Sequence, residues 1–298
     1  MASMVSCFTN FNNNIAISFM MKNIKKNFLP KDFDIDSVLK NKKIKTGSFH
    51  PLTQLMNKTL NIFERLNFEV VEGPEAETEY YNFDALNFPV SHPARDAQDT
   101  FWIQSSQQSA NHELQNKKEK LLLRTHTSPM QIKYMESHEP PFNIVVPGKC
   151  FRNERTDASH DMQFYQLEGL MIDKDISIAN FKKVILEFFN ALFGNENNDI
   201  KIRMRPSYFP FVEPGFEVDI SCFCDKKNNC SICKGENWIE MMGAGIVHPQ
   251  VLKNAGLVAS EWQGFAFGMG LDRIAMIKYK IPDIRLLYSG DLRVIRQF

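Results

Sequence analysis

Arg152 ends a strand-like run and is followed by a charged loop and a second predicted strand over residues 163–172. Because side chains alternate along a strand, Phe164, Gln166 and Glu168 fall on one face of that second strand. An aromatic ring beside two hydrogen-bonding side chains can stack a flat base and hold a polar group, and an arginine can bind a phosphate through two parallel hydrogen bonds. The hairpin is therefore a candidate nucleotide site, although charged hairpin tips are commonly only solvated.

A second segment combines a strand face without bulky side chains and an arginine. With a period of two, Gly264, Ala266, Gly268 and Gly270 all fall on one face of a predicted strand. Such a face lets a flat ligand or another backbone approach closely. Arg273 then emerges in the first turn of the following helix. The glycine spacing excludes a dinucleotide-binding fold and a P-loop, and a tightly packed core strand is the alternative interpretation.

Three aromatic residues and three prolines surround one acid in the segment 206–215, which is predicted to be a stiff apolar loop. Phe209 and Phe211 suit the wall of an apolar pocket. Glu213 is the acid in this loop, and Glu240 is a second acid in an apolar strand. Each is either a structural carboxylate in an ion pair or, beside arginines and phosphates, a candidate ligand for Mg²⁺.

Four of the six cysteines lie close together in the sequence, as Cys222, Cys224, Cys230 and Cys233. Two close pairs of cysteines can supply a tetrahedral thiolate site for Zn²⁺. A hairpin that carries reduced thiols is the alternative. The clustering of the cysteines fits a reducing compartment under either interpretation, and it fits a disulfide framework less well.

The elements that must position these residues are strands and helices in segregated runs. A helix with an apolar stripe begins at Pro51, a second helix runs from Ser128 towards His138, and a third begins after Ser177 and ends before Gly194. Strands are predicted at Phe68–Glu72, Phe142–Val146, Lys149–Asn153, Gln163–Asp173 and, approximately, 200–205, 215–222, 237–243 and 263–269, before a final helix near Leu271. Many successive strands with helices at the ends predict an α+β domain built on an antiparallel sheet.

Composition limits the classes of function. The 298 residues are 43% hydrophobic and 23% charged, which is ordinary for a soluble globular protein. Lysine plus arginine and aspartate plus glutamate both total 35, so the chain has no overall basic field and would contact RNA through local patches or a partner. No apolar run reaches the length of a membrane span.

Residues 1–47 differ from the rest and are predicted to be a largely irregular N-terminal extension before one catalytic domain over 48–298, with a Cys-cluster insertion at 222–233. Between Lys22 and Lys45 there are eight lysines and three aspartates. The extension is either a solvated tail of biased composition or an arm that touches RNA phosphates. The lack of arginine argues against an organellar transit peptide.

Several blocks in fixed order resemble the α subunit of phenylalanyl-tRNA synthetases, which are class II aminoacyl-tRNA synthetases. The resemblance runs from about Gly47 to Phe298. The blocks are GSFHPLTQ (47–54), FEVVEGPEAE (68–77), ALNFPVSHPARDAQDTF (85–101), LLRTHTSPMQ (122–131), PGKCFRNERTDASH (147–160), RPSYFPFVEPG (205–215), GAGIVHPQVL (243–252) and GFAFGMGLDRIAM (264–276).

This resemblance implies a class II catalytic domain that joins phenylalanine to ATP and then to tRNA, and it implies a role for each candidate residue. Arg152 and Arg273 would bind the α- and γ-phosphates, His160 would lie near the phosphates and Phe164 would stack on adenine. The amino acid's polar end would be held by His126, Ser128, Gln166 and Glu168, and its ring by Phe209, Phe211 and Ala266. Glu213 would hold a Mg²⁺ ion shared with the β subunit, and Glu240 stays a further candidate ligand from the residue pattern.

The sequence departs from the family's pattern at a few places. Tyr165 stands where the family usually has His, and Asp272 where it usually has Glu. Residues 1–47 show no heptads to match the family's coiled-coil arm, and no anticodon-binding domain follows the catalytic one, so a cytoplasmic α₂β₂ assembly is expected. A stand-alone amino-acid adenylating enzyme and a silent RNA-binding paralogue are the alternatives, and the presence of Arg152, Arg273 and Glu213 argues against the second.

Overall fold

A computed structural model describes residues 47–96, 99–103, 120–194, 200–223, 230 and 232–298. Residues Ser48–Phe298 form one compact unit. The predicted N-terminal extension lies outside the described residues except for Gly47, and so does Cys224. The helices of the described part include none that is long and apolar enough to cross a membrane.

Seven α-helices and ten strands occur in the described part of the chain. The helices are α1 Pro51–Arg65, α2 Pro129–Ser137, α3 Ile178–Phe193, α4 Pro249–Asn254, α5 Leu271–Tyr279, α6 Arg285–Tyr288 and α7 Leu292–Ile295, with a π-helix at Tyr80–Asp84 and a 3₁₀-helix at Pro93–Arg95. The strands are β1 Glu69–Val70, β2 Ala76–Thr78, β3 Trp102–Ile103, β4 Leu121–Leu123, β5 Phe142–Phe151, β6 Gln163–Asp173, β7 Ile202–Phe209, β8 Val212–Ser221, β9 Trp238–Val247 and β10 Gln263–Gly270.

The main sheet has seven strands in the order β1-β5-β6-β10-β9-β8-β7. All neighbours in it are antiparallel except β1 and β5, which are parallel. Strands β2, β4 and β3 form a small second sheet. The prediction of an α+β fold on a large antiparallel sheet is therefore confirmed.

Local sequence signals fix the ends of the helices that flank the sheet. Pro51 lies in the first turn of α1, and the His50 side chain accepts a hydrogen bond from the Leu52 N–H, which leaves fewer helix-end donors unpaired. Ser177 and Asn180 form a reciprocal capping box at the start of α3, and Gly194 follows its last residue. These starts and the end at Gly194 agree with the prediction from sequence.

The face of the sheet that carries α1, α3 and α5 is filled by aromatic rings. The Phe63 ring centroid lies 4.6 Å from that of Phe188 and 5.4 Å from that of Phe267, so helix and strand side chains interdigitate. Phe267 alternates with Ala266, which belongs to a separate cluster on the opposite face. The alternation along β10 therefore assigns the bulky residues to the core and the small ones to the other face.

Two predictions about the strands are wrong in detail. The two runs Phe142–Val146 and Lys149–Asn153 form one continuous strand, β5, because both Pro147 and Gly148 keep their register against β6. The segment 206–215 is a tight hairpin between β7 and β8 and not a loop. Its aromatic residues therefore hold positions fixed by a sheet.

Candidate active site

A cavity of about 590 Å³ lies where β6, β9 and β10 meet the loops before α2 and between β7 and β8. This volume is in the usual range for small-molecule sites. The cavity brings together all seven residues predicted to bind an amino acid, and Arg152 lies on its lining as well. Its walls are formed by Phe83, Phe88, Ala94, Asp99, Thr125, His126, Ser128, Gln131, Arg152, Glu154, Gln166, Glu168, Phe209, Phe211, Gly243, Ala266, Phe267 and Gly268.

One end of the cavity is polar and is organised around the buried carboxylate of Glu168. The Gln166 Nε2 donates to Glu168 Oε1 at 2.7 Å, and the Gln131 Nε2 donates to Glu168 Oε2 at 2.8 Å. The Gln166 Oε1 is buried and has no hydrogen-bond partner among the described residues. Because buried polar atoms are almost always paired, this acceptor is available for a ligand's donor.

The charge of Glu168 depends on its surroundings. Burial raises its pKa to about 7, and hydrogen bonds from Ser128 and Gln131 oppose that rise. A cationic group bound at this end of the cavity would favour the ionised carboxylate further. The site therefore suits an ammonium group, which has three donors and no acceptor.

His126 lies between the polar and aromatic ends. Its ring stacks on Phe88, with centroids 5.8 Å apart and planes 6° apart. Burial, together with the nearby charges of Arg152 and Arg124, lowers the pKa of His126 to about 3, so the ring is neutral at pH 7. Both of its nitrogens are buried without a partner in the described structure, so they can bond a ligand but cannot serve as a cation.

The other end of the cavity is aromatic. The Phe209 and Phe211 rings lie 5.9 Å apart, and Phe211 lies 5.8 Å from Phe88. Ala266 is 2% exposed and contributes the small part of this wall, opposite Gly245 in β9 and Leu170 in β6. Aromatic pairs at these spacings attract one another and present apolar surface, which suits an aromatic ring of a ligand.

The glycines of β9 and β10 make room for these groups. A methyl group at Gly268 would lie 3.0 Å from Gln166 Nε2, and one at Gly243 would lie 2.9 Å from Phe209 Cζ. The absence of side chains at both positions therefore lets the polar group and the aromatic ring sit directly on the sheet.

Arg152 is positioned at the rim of this cavity. Its Nε donates to the Thr125 carbonyl at 3.2 Å, and its guanidinium lies 4.9 Å from the centre of the Phe164 ring. The Nη1 is 4.0 Å from Glu154, and the side chain is 43% exposed. The hydrogen bond to Thr125 therefore fixes the Nε edge of the guanidinium, and the partly exposed side chain can bind a ligand at the rim of the cavity.

Arg273 lines a second cavity, of about 450 Å³, together with Glu240. In that cavity Arg205 donates to Asp219 at 2.7 Å and lies 3.5 Å from Glu240. The Arg203 side chain donates to the same aspartate at 2.6 Å. The second cavity is therefore lined by three arginines, and two of them, Arg203 and Arg205, form ion pairs with Asp219.

The remaining predicted residues lie on exposed surface. His160 is held in its loop by Asp157, whose carboxylate accepts from the His160 backbone N–H at 2.8 Å and lies 3.0 Å from its ring. The Glu213 carboxylate is 72% exposed and lies 3.2 Å from His248 Nε2. Glu213 stands at the start of β8, whereas Glu240 pairs near the far end of that strand. At about 3.3 Å per residue, the two carboxylates are too far apart to share one ion.

The two departures from the family's pattern contact one another. The Asp272 side chain accepts a hydrogen bond from the Tyr165 N–H at 2.6 Å and another from the Tyr288 hydroxyl. Burial raises the pKa of Asp272 to about 6. This carboxyl group joins the first turn of α5, which carries Arg273, to the strand that carries Gln166 and Glu168.

Three of the four clustered cysteines lie close together in the connection between β8 and β9. The sulfur atoms of Cys222, Cys230 and Cys233 all lie within 4.8 Å of one another. Backbone N–H groups of Cys233 and Ile232 donate to the Cys230 sulfur and lower the pKa of this thiol to about 7. The fourth residue of the predicted zinc set, Cys224, lies outside the described residues.

Sequence reasoning missed several residues that line the first cavity, and among them Gln131 and Phe88 contact predicted site residues. Gln131 binds Glu168 directly, and its position three residues after Ser128 at the start of a helix is a signal that could have found it. Phe88 stacks on His126 from an irregular segment. No periodicity in the sequence identifies that contact.

The fold and site place the chain among known proteins. The family model "tRNA synthetases class II core domain (F)" matches residues 34–298. In structure, the chain is similar to a pyrrolysyl tRNA synthetase from Desulfitobacterium hafniense, with a TM-score of 0.55 and 17% identity over 79% of this chain and 70% of that one. The chain belongs to the class II tRNA synthetase core family.

Its nearer relatives specify the family further. It is 49% identical to the phenylalanine–tRNA ligase alpha subunit of Dehalococcoides mccartyi over 92% of this chain and 76% of that protein. It is also 49% identical to the alpha subunit from Geobacillus thermodenitrificans, over 89% of this chain and 72% of that protein. Within class II, the chain is therefore a member of the phenylalanine–tRNA ligase alpha subunit family, and the resemblance identified from sequence is confirmed.

Proposed function

We propose that the chain activates L-phenylalanine with ATP and transfers the phenylalanyl group to tRNA(Phe), releasing AMP and diphosphate. The first cavity carries the proposal. One end holds the Glu168 carboxylate beside the Gln166 amide, and the other end is an aromatic wall. An amino acid with an aromatic side chain matches both ends at once. The chain's membership of the phenylalanine–tRNA ligase alpha subunit family favours this function over a silent paralogue and over an adenylating enzyme for another acceptor.

In this assignment, the ammonium group of phenylalanine donates to Glu168 and to the unpaired Gln166 Oε1, with Ser128 and neutral His126 beside it. The phenyl ring lies against Phe209 and Phe211 with Ala266 beyond it. The polar end lies next to Arg152, so the carboxylate of the amino acid points to the rim.

The first chemical step is the attack of the phenylalanine carboxylate oxygen on the α-phosphorus of ATP. A bond forms between that oxygen and phosphorus, the α–β phosphoanhydride bond breaks, and diphosphate leaves. A carboxylate is already ionised at pH 7, so no general base is required, and positioning with charge neutralisation suffices. Arg152 neutralises charge on the α-phosphate and Arg273 on the γ-phosphate, with His160 near them. The adenine stacks on the face of Phe164 that Arg152 leaves open.

The second step transfers the acyl group. The terminal ribose hydroxyl of the tRNA attacks the carbonyl carbon of the adenylate, and the bond between that carbon and the bridging oxygen breaks. AMP leaves with the bridging oxygen, and the hydroxyl proton passes to a phosphate oxygen of the AMP. Mg²⁺, when bound, supplies additional positive charge to the phosphates. Glu213 fits such an ion, because its carboxylate is exposed and can accept a hydrated cation. Glu240 fits less well, because Arg205 already lies beside it.

We place the active form in the cytoplasm as an α₂β₂ assembly. The name alpha subunit, which the chain's relatives carry, implies a β-subunit partner for those relatives. The test is phenylalanine-dependent exchange of radioactive diphosphate into ATP, together with charging of tRNA(Phe), for the chain with and without its co-expressed β subunit. We expect both activities in the complex and little or none in the chain alone. Exchange that depends on a different amino acid, or a monomer that charges tRNA fully, would overturn the assignment.

A further inference from the structure

The cysteine cluster in the connection between β8 and β9 has no role in the amino-acid and ATP sites proposed above. The sulfur atoms of Cys222 and Cys230 are 3.7 Å apart, and Cys233 completes a set within 4.8 Å. A zinc ion with Zn–S bonds of about 2.3 Å and tetrahedral angles requires sulfur atoms about 3.8 Å apart. The Cys222–Cys230 distance therefore already matches one edge of such a tetrahedron, and the Cys233 sulfur lies close enough to complete a face.

The backbone forms a tight turn at the cysteine cluster. Cys230 and Cys233 bracket a tight turn in which the Lys234 N–H donates to the Cys230 carbonyl at 2.8 Å. Lys234 has a φ of 50° and Gly235 a φ of 90°, so the chain takes a left-handed turn directly after the second cysteine. This turn directs backbone N–H groups at the Cys230 sulfur, and such donors stabilise a thiolate ligand.

The cluster also closes the hairpin. Cys222 directly follows β8, and its N–H donates to the Asn237 carbonyl at 2.9 Å, one residue before β9 begins. Cys233 is 4% exposed and packs against the main core. An ion at this point would join the end of β8 to the turn that leads into β9.

We propose that Cys222, Cys230 and Cys233 bind a structural Zn²⁺ ion, whose remaining position is taken by a further ligand. Sulfur atoms at these spacings suit zinc, because thiolates are soft ligands and Zn²⁺ accepts tetrahedral sulfur sets. Three thiols without a metal would gain little, since S–H groups are weak donors and acceptors.

The ion would also hold one wall of the second cavity. Cys233 and Lys234 both line that cavity beside Arg273. This step rests on the proposed function, which assigns Arg273 to the γ-phosphate. The turn that contains Cys233 would then lie next to the phosphate site. Loss of the ion is therefore expected to raise the KM for ATP several-fold and to leave the KM for phenylalanine nearly unchanged, because the phenylalanine cavity is built from other segments.

The primary test is the metal content of the full chain, purified without chelator and assayed by elemental analysis. We expect one zinc per chain in the wild type and in Cys150→Ala, which removes a buried cysteine of β5 outside the cluster. Cys230→Ser and Cys233→Ser should lose most of the zinc. Because metal content does not depend on phenylalanine activation, this result stands or falls separately from the proposed function.

A spectroscopic measurement covers variants that fail to fold. Replacement of the ion in wild-type chain by Co²⁺ should give the charge-transfer absorption of thiolate-bound cobalt, and zinc should remove it. A wild-type chain that carries iron, or that binds neither zinc nor cobalt after reduction and reconstitution, would overturn the proposal. So would full zinc content in Cys230→Ser.

Discussion

The amino-acid end and the phosphate end of the active site are built in different ways. Gln166 and Glu168 are buried and bonded to one another, and the rings of the aromatic wall pack against one another. By contrast, Arg152 is 43% exposed and His160 is 57% exposed. One end is therefore preorganised by packing, whereas the other consists of charges whose final positions depend on the phosphates.

The difference follows from what each end must recognise. A phenyl ring is distinguished only by shape and by the exclusion of water, so its wall must be rigid. A triphosphate carries charge that attracts flexible cations over some distance. Variants at the phosphate end are therefore expected to slow the reaction, and variants at the amino-acid end to change binding and selectivity.

The largest effect should come from the phosphate end. Arg152→Ala and Arg273→Ala are each expected to lower kcat for phenylalanine-dependent diphosphate exchange by about 10² or more, because each removes charge that neutralises the transition state. Arg152→Lys should recover little, since lysine cannot keep both the bond to Thr125 and the stack on Phe164. Circular dichroism should show an unchanged fold. Near-normal exchange in either alanine variant would remove that residue from the phosphate site.

A smaller effect is expected from Glu168→Gln, with a signature in pH. We expect the KM for phenylalanine to rise roughly 30-fold in this variant, equal to about 2 kcal/mol, because a charge-assisted bond to the ammonium group is lost. In the wild type, KM should increase as pH falls below about 7, where Glu168 becomes protonated. His126 stays neutral over this range because burial lowers its pKa to about 3, so it adds no step.

The measurement is the KM for phenylalanine between pH 5.5 and 8.5 in both proteins, with the KM for ATP as the internal control. Glu168→Gln should give a flat profile at high KM. If the wild-type profile survives in the variant, another group titrates and Glu168 does not receive the ammonium.

Gly268→Ala should have a more modest effect confined to the amino-acid end. The added methyl group would lie 3.0 Å from Gln166 Nε2 and 3.2 Å from Glu168 Cγ, so the amide must shift by a few tenths of an ångström. We expect the KM for phenylalanine to rise about tenfold, equal to about 1.4 kcal/mol, with an unchanged KM for ATP. Gly270→Ala is the matched control, because a methyl group there would meet nothing within 4 Å. Equal effects of the two variants would contradict this account.

Much of this arrangement could be predicted from local sequence, and the reason is periodicity. Alternation along β6 correctly placed Gln166 and Glu168 together, because register fixes the face of every residue in a buried strand. Alternation also separated Ala266 from Phe267 across the sheet. The start of α1 and the ends of α3 followed from Pro51, Ser177 and Gly194, whose conformational preferences are local.

What the sequence did not reveal depends on contacts between distant segments. Phe88 stacks on His126 from an irregular segment, and Asp272 binds Tyr165 from another element. No short-range pattern encodes either contact. The prolines of segment 206–215 suggest an irregular loop, but each occupies a position that a hairpin tolerates. Pro206 lies in the edge strand β7, Pro210 in the turn, and Pro214 at a register shift in β8.

The smallest expected effect tests the shape of the aromatic wall. Ala266 lies in the buried face of β10 beside the Phe209 and Phe211 rings, and its methyl group limits the depth of the pocket. Ala266→Gly should open space there, admit para-chlorophenylalanine and cost the native substrate about 1 kcal/mol through the lost contact. Tyrosine should gain less, because the residues that form this wall in the described structure, Phe209, Phe211 and Ala266, offer its hydroxyl no polar side chain.

The measurement is kcat/KM for phenylalanine and para-chlorophenylalanine in diphosphate exchange, for the wild type and Ala266→Gly. Ala244→Gly is the matched control, because Ala244 is equally buried in the neighbouring strand but belongs to the core on the opposite face. It should lower stability without moving the ratio between the two substrates. A ratio that moves equally in both variants would show that Ala266 acts through general loosening of the sheet, and the ring would have to bind against a different wall.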